Sequence, residues 1–181
     1  MPELPSRGPS VRLLGLALPP AAMPAWRSRR PLKRWRYVGV YTPELMVCVG
    51  DARVGPIPRR WWAVALPDGT LRERTTLGRA GVTMDGSRVR VDVPGVRVDL
   101  ALDRSEGVET VSPAGDAYIW TRKQAAVPCH GSVGLDGVRH EIDGEYGFVD
   151  ESAGYHMRHT AWRWSPVSGS RTTAGAWAGT S

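Results

Sequence analysis

Val89, Val91 and Val93 alternate with Arg88, Arg90 and Asp92, and after Pro94-Gly95 the pattern resumes. There Val96, Val98, Leu100 and Leu102 alternate with Arg97, Asp99, Ala101 and Asp103. A period of two puts each set on its own face of a strand, so this stretch predicts a hairpin with one apolar and one charged face. Similar segments rich in β-branched and aromatic residues predict strands over 35–41, 44–50, 59–66, 70–76, 107–111, 117–123, 128–135, 138–142, 145–149 and 156–164. Pro67-Asp68-Gly69, Asp85-Gly86, Asp136-Gly137 and Asp143-Gly144 supply the residues that tolerate the positive φ of tight hairpin turns. No stretch of helical length repeats its apolar residues at a period of 3.6. Consecutive antiparallel hairpins have to hide their edges, which predicts an all-β barrel or sandwich.

The pattern also divides the chain. Residues 1–34 are rich in proline and arginine without periodicity and read as a basic, largely irregular arm whose Trp26 and Leu32 are candidates to dock on the body. Residues 35–164 form the β domain, and 165–181, rich in Ser, Thr, Gly and Ala, read as a disordered tail. A chain of 181 residues is long enough for a core without staples. Cys48 and Cys129 fit neither a disulfide framework nor a metal-binding spacing, so free thiols and a cytoplasmic location are expected. The apolar run Leu13–Leu18 is too short for a secretory signal and is closed by Pro19-Pro20. No run approaches the ~18 apolar residues of a membrane-spanning helix.

The formal charge of +6 changes meaning once it is located. Residues 1–36 carry eight basic side chains against Glu3 alone, and the rest of the chain is close to neutral. Arginines beside Trp26 and Trp35 are ingredients of phosphate contact and base stacking. A basic arm more often only solvates a chain or lies on acidic protein surface, so no nucleic-acid partner is expected.

Candidate chemistry concentrates between Gly144 and Trp164, a stretch that holds Asp150, Glu151, His156, His159, Trp162 and Trp164 between glycines. Asp150, between Phe148-Val149 and Gly154-Tyr155, has the setting of a general acid whose pKa is raised by desolvation. The competing reading makes Asp150 and Glu151 loop carboxylates that cap a turn or pair with Arg158, with the Asp150 pKa lowered. On a strand over 156–164, His156, Arg158, Thr160, Trp162 and Trp164 share one face. Turned inward, that face is a ligand-binding aromatic wall with polar groups at one end; turned outward, it covers another domain or a second copy. His156 and His159 fall on opposite faces, and Cys129 beside His130 is no evidence of a catalytic pair, so neither a metal nor a cofactor is expected.

Three stretches carry a family resemblance: WRSRRPL at 26–32, KRWRYVGVY at 33–41 followed by Pro43-Glu44-Leu45, and DESAGYHMRHTAWRW at 150–164. With the Asp150/Gly154 spacing and Thr160-x-Trp162-x-Trp164, the chain resembles an uncharacterised, mostly actinobacterial family. That family is allied to the lipocalin-like group containing carotenoid hydratases of the hydroxyneurosporene synthase type. The resemblance implies a calycin-like antiparallel barrel or sandwich, doubled in full-length relatives, with an interior fit for an apolar ligand. Phe148-Val149-Asp150 loosely matches the hydratases' aromatic-x-Asp motif, whereas their His-x-Trp motif has no counterpart at His130-Gly131-Ser132. The chain departs from the family after about Gly169, and a truncated or frame-shifted product is expected on that ground. Three functions follow. The leading one is a binding module for a hydrophobic or amphipathic small molecule. The second is a cofactor-free hydratase, lyase or isomerase of a lipid or isoprenoid with Asp150 as proton donor, and the third is an inactive gene fragment.

Overall fold

A computed structural model of the protein describes residues 3–78, 81–103 and 106–159. The arm contributes β1 (Ser6–Arg7), a 3-10 turn over Gly8–Leu13, β2 (Trp26–Arg27) and β3 (Arg30–Pro31). The body follows with β4 (Lys33–Tyr41), β5 (Met46–Val54), β6 (Ile57–Ala65), β7 (Leu71–Thr76) and β8 (Val82–Met84). Then come β9 (Arg88–Val93), β10 (Val96–Leu102), β11 (Val108–Ala114), β12 (Ala117–Leu135) and β13 (Val138–Gly154). The all-β expectation holds. One antiparallel sheet runs in the order β7-β6-β5-β4-β13-β12-β10-β9-β8, and β11 branches from β12. Among the described residues β7 and β8 end this order without pairing with each other, so the architecture is an open calycin-like sandwich and not a closed barrel.

The alternation in β9 and β10 is realised as expected. Val89, Val91, Val98 and Leu100 are buried, while Arg88 holds both carboxylate oxygens of Asp99 on the other face at 2.7 and 2.8 Å. Their apolar face meets Val38, Val47, Val49, Trp62 and Val64 from β4, β5 and β6 in the main core.

Two strands are longer than expected. Segments 117–123 and 128–135 fuse into β12, and 138–142 and 145–149 fuse into β13, which runs on to Gly154. The expected Asp143-Gly144 hairpin does not form. Cys129 pairs with Glu145 and His130 with Asp143, which leaves Gly144, at φ 75°, as the extra residue of a bulge. Its N–H donates to His130 Nδ1 at 3.2 Å. A second irregularity lies between Gln124 and Val127, where Ala126 has φ 52°. The turn chemistry here bends a strand pair instead of ending it. The bend lets β12 and β13 belong to both halves of the sheet: β12 pairs with β11 through its first half and with β10 through its second.

The arm is irregular for most of its length, and it is docked. Val11, Leu18 and Leu32 pack with Val111, Tyr118, Trp120, Ala153 and Tyr155 in a second core, whereas Trp26 stays exposed. Tyr118 Oη donates to Ala17 O and Tyr155 Oη to Pro24 O, both at 2.8 Å. Arg12 pairs with Glu109, Arg30 with Asp116, and Arg27 lies over the Tyr118 ring at 5.1 Å. Much of the arm's charge therefore fastens it to the body.

Candidate functional site

Neighbouring strands place charged residues at one register position. Arg60 of β6 faces Asp51 of β5, Asp51 faces Arg36 of β4, Arg36 faces Glu151 of β13, and Glu151 faces Arg122 of β12. Glu109 of β11 continues the row opposite Arg122 and is itself paired with Arg12 of the arm. Two residues along β6, β5, β4 and β13 in one direction are Trp62, Val49, Val38 and Val149 of the main core. Alternation therefore aims the charged side chains at the same inner face. In the other direction β13 and β12 carry Ala153 and Trp120 of the second core, and β4 and β5 carry Arg34 and Arg53. The row is a polar seam between two hydrophobic cores.

Arg60 reaches Asp51 Oδ2 through Nε at 2.9 Å and Nη2 at 2.8 Å. Arg122 Nε lies 3.2 Å from Glu151 Oε2, and Arg36 Nε lies 3.8 Å from Glu151 Oε1. Alternating signs suit direct cross-strand neighbours, where opposite charges contribute roughly 0.2–1 kcal/mol per pair. Arg36 also reaches across to the β8–β9 turn, where Nη1 and Nη2 donate to the carbonyls of Asp85 and Gly86 at 2.7 Å. Burial lowers the Arg36 pKa, with Glu151 opposing the shift.

A cavity of about 600 Å3 opens on this seam. Its polar wall includes Arg36, Arg122, Asp51 and Glu151; Trp120, Met84, Pro19 and Pro20 give it an apolar side. A second cavity of about 520 Å3, bordered by Leu102, Val127 and Val149, shares Arg36, Gly86 and Arg122 with the first. Volumes of this size suit small molecules.

The residues expected to form a site are dispersed. Asp150 belongs to β13 and not to a loop, and it faces the side opposite Glu151, between Tyr37 and Lys123. Lys123 Nζ sits 2.9 Å from its Oδ2, so the ion-pair partner is Lys123 where Arg158 was the expected one. Burial raises the Asp150 pKa against the opposing hydrogen bond and charge of Lys123; the lowered value expected of a turn carboxylate is not found. On the same face the Tyr37 and Tyr41 hydroxyls lie 2.8 Å apart, and burial raises the Tyr37 pKa.

The expected strand over 156–164 is not found in its described part, 156–159. β13 ends at Gly154, Tyr155 N–H donates to Tyr118 O at 3.1 Å, and the Tyr155 ring enters the second core. His156 is buried with its ring centroid 5.0 Å from that of Trp35. Burial, helped by Lys33, lowers its pKa to about 4. Arg158 and His159 are exposed outside any strand, and Thr160, Trp162 and Trp164 lie outside the described residues. Cys48 and Cys129 are free, and burial raises the Cys129 thiol to about 11. His130 contacts Asp143 at 3.2 Å and Asp103 at 3.7 Å, while the Cys129 thiol donates to Val127 O. Among the described residues no group of His, Cys, Asp or Glu is arranged to hold a metal. No described helix is long and apolar enough to cross a membrane.

Sequence reasoning missed Arg36, Asp51, Arg60 and Arg122. The clue was present in each strand as a charge two residues from a core position, such as Arg36 before Val38 or Asp51 after Val49. Their meeting in one row depends on registers that no single strand contains.

Residues 69–179, more than half of the chain, match the family described as a domain of unknown function, DUF2804, and the chain belongs to that family. No curated protein matches. Among solved structures, the fold is similar to that of a Nitrosomonas europaea protein assigned as an AttH, at 12% identity and a TM-score of 0.51. The match covers 81% of this chain and 59% of that one, so this chain spans about three-fifths of the neighbour's length. At that identity the likeness bears on the fold alone.

Proposed function

We propose that this member of the DUF2804 family is a binding module for an amphipathic small molecule, held in the cavity between the arm and the sheet. The observation that carries this reading is the cavity of about 600 Å3, which sets a tryptophan, a methionine and prolines against arginines and carboxylates. A ligand with an apolar body and a polar end satisfies both walls, whereas a wholly apolar one leaves partly buried charges without water or partner. The free thiols support a cytoplasmic location.

N-phenyl-1-naphthylamine, a neutral fluorophore whose aromatic body carries one polar N–H, tests the reading. Its emission is expected to rise on binding, with quenching of protein tryptophan because Trp120 lines the cavity. Gly86→Trp places an indole at the rim shared by both cavities, where an added Cβ meets no atom within 4 Å. The variant is expected to lose most of the probe binding. Equal binding by the variant and the parent would overturn the cavity as the site.

A second reading, a cofactor-free hydratase, lyase or isomerase acting on a lipid or isoprenoid, rests on Asp150. Its carboxyl has a raised pKa, its Oδ1 is buried without a hydrogen bond, and Phe148-Val149-Asp150 resembles the hydratases' motif. Turnover of an isoprenoid alkene that disappears in Asp150→Asn at unchanged melting temperature would establish this reading. Turnover unaffected by the substitution would remove it.

A further inference from the structure

We infer that the ligand of this cavity carries an acidic head group, and that Glu151 is the internal counter-ion this head displaces. The inference rests on the cavity being the binding site and names the chemistry of its ligand. Two of the row's carboxylates are already committed: Asp51 takes two nitrogens of Arg60 on one oxygen, and Glu109 is held by Arg12. Glu151 alone serves both Arg36 and Arg122. The middle of the row thus holds two guanidinium groups against one carboxylate.

A separate feature points the same way. Next to the row, Arg34 of β4 and Arg53 of β5 are direct cross-strand partners, and both line the cavity. Like charges directly opposite each other are destabilising. Neither arginine forms an ion pair with a described carboxylate. An anion beside Arg34 and Arg53 relieves this repulsion, and the planar guanidinium forks suit carboxylate or phosphate oxygens.

Glu151 gives the arrangement its character. It spans Arg36 and Arg122 at 3.8 and 3.2 Å, contacts longer than the 2.7–2.9 Å of well-formed charge-assisted hydrogen bonds. The side chain therefore neutralises the seam without saturating its donors. An incoming acidic head competes with Glu151 for the same two arginines while its apolar body lies against Trp120 and Met84.

The test compares four probes with one twelve-carbon chain: dodecanoate, dodecyl phosphate, dodecanol and dodecylammonium, titrated calorimetrically into the full chain below their micellar concentrations. One or both acids are expected to bind roughly tenfold more tightly than dodecanol, with the ammonium weakest. Which acid leads then assigns a carboxylate or a phosphate head. Glu151→Gln is expected to strengthen acid binding several-fold, and Arg53→Gln, at an exposed side chain, to weaken it several-fold; dodecanol is expected to move with neither. The Arg53 variant decides the matter if Glu151→Gln fails to fold. Equal affinity for all four probes overturns the acidic head and leaves the amphipathic cavity standing. No binding of any probe, with the naphthylamine also unbound, overturns both. Acid affinity unchanged in folded Glu151→Gln and in Arg53→Gln overturns the role assigned to the seam.

Discussion

The protein has two hydrophobic cores of different origin. The main core is made almost entirely of valine and leucine from alternating strands, Val38, Val49, Val64, Val89, Val98 and Leu100 among them. The second joins an arm of irregular backbone to aromatic residues far along the chain, so that Tyr155 reaches Pro24 and Tyr118 reaches Ala17. The first follows from local pattern and the second from long-range closure. The charged row lies where β12 and β13, the two strands that contribute to both cores, pass from one to the other.

If the main core is the stability determinant, Leu100→Ala is the most damaging single change. Leu100 is 1% exposed, and truncation at such a site costs about 2–5 kcal/mol. Thermal unfolding is expected to shift as one transition, arm and body together. A small shift confined to one half of the molecule would show that the cores unfold separately.

Acid probes the arm side. The folded pKa of His156 is about 4, below the ~6.5 of an unfolded histidine, so the unfolded chain takes up its proton first. The stability associated with neutral His156 is intact above pH ~6.5 and is lost as pH falls towards 4, by on the order of 2–3 kcal/mol. Denaturant melts between pH 7 and 4 should show this slope, and His156→Phe, which keeps a ring against Trp35, should flatten it. A variant with the parent's pH dependence would assign the loss elsewhere.

Tyr155→Phe removes only the hydroxyl that holds Pro24 O, at a cost of about 1 kcal/mol. Hydrogen exchange should quicken at arm amides such as Ala21 and Leu32 and stay unchanged at Val49 of the main core. Uniform quickening would mean that the arm opens only when the whole molecule unfolds.

The smallest effect is expected on the opposite face of β13. With its folded pKa raised, the ionised Asp150 disfavours the fold, and stability falls slightly as pH rises through that value. Asp150→Asn relieves the desolvated charge and leaves Lys123 without its ion-pair partner, so at pH 7 the two effects offset to within about 0.5 kcal/mol. A large loss of melting temperature would show that the ion pair outweighs its desolvation.

The amino-acid pattern by itself determined the class of fold, the hairpin at Pro94-Gly95, the inward valines and the free cysteines, because alternation and turn chemistry are local properties. It did not determine whether Asp143-Gly144 ends a strand or bends one, since the same residues tolerate a hairpin turn and a bulge, and the pairing of Cys129 and His130 decides between them. Nor did it determine the end of β13: the ladder stops at Gly154, and the Tyr155 ring packs into the second core. The charged row belongs wholly to tertiary structure. Arg60, Asp51, Arg36, Glu151 and Arg122 are spread over more than ninety positions, and only the registers of four strand pairings bring them into one line. A shift of one residue in any of those pairings turns its charge to the other face and breaks the seam.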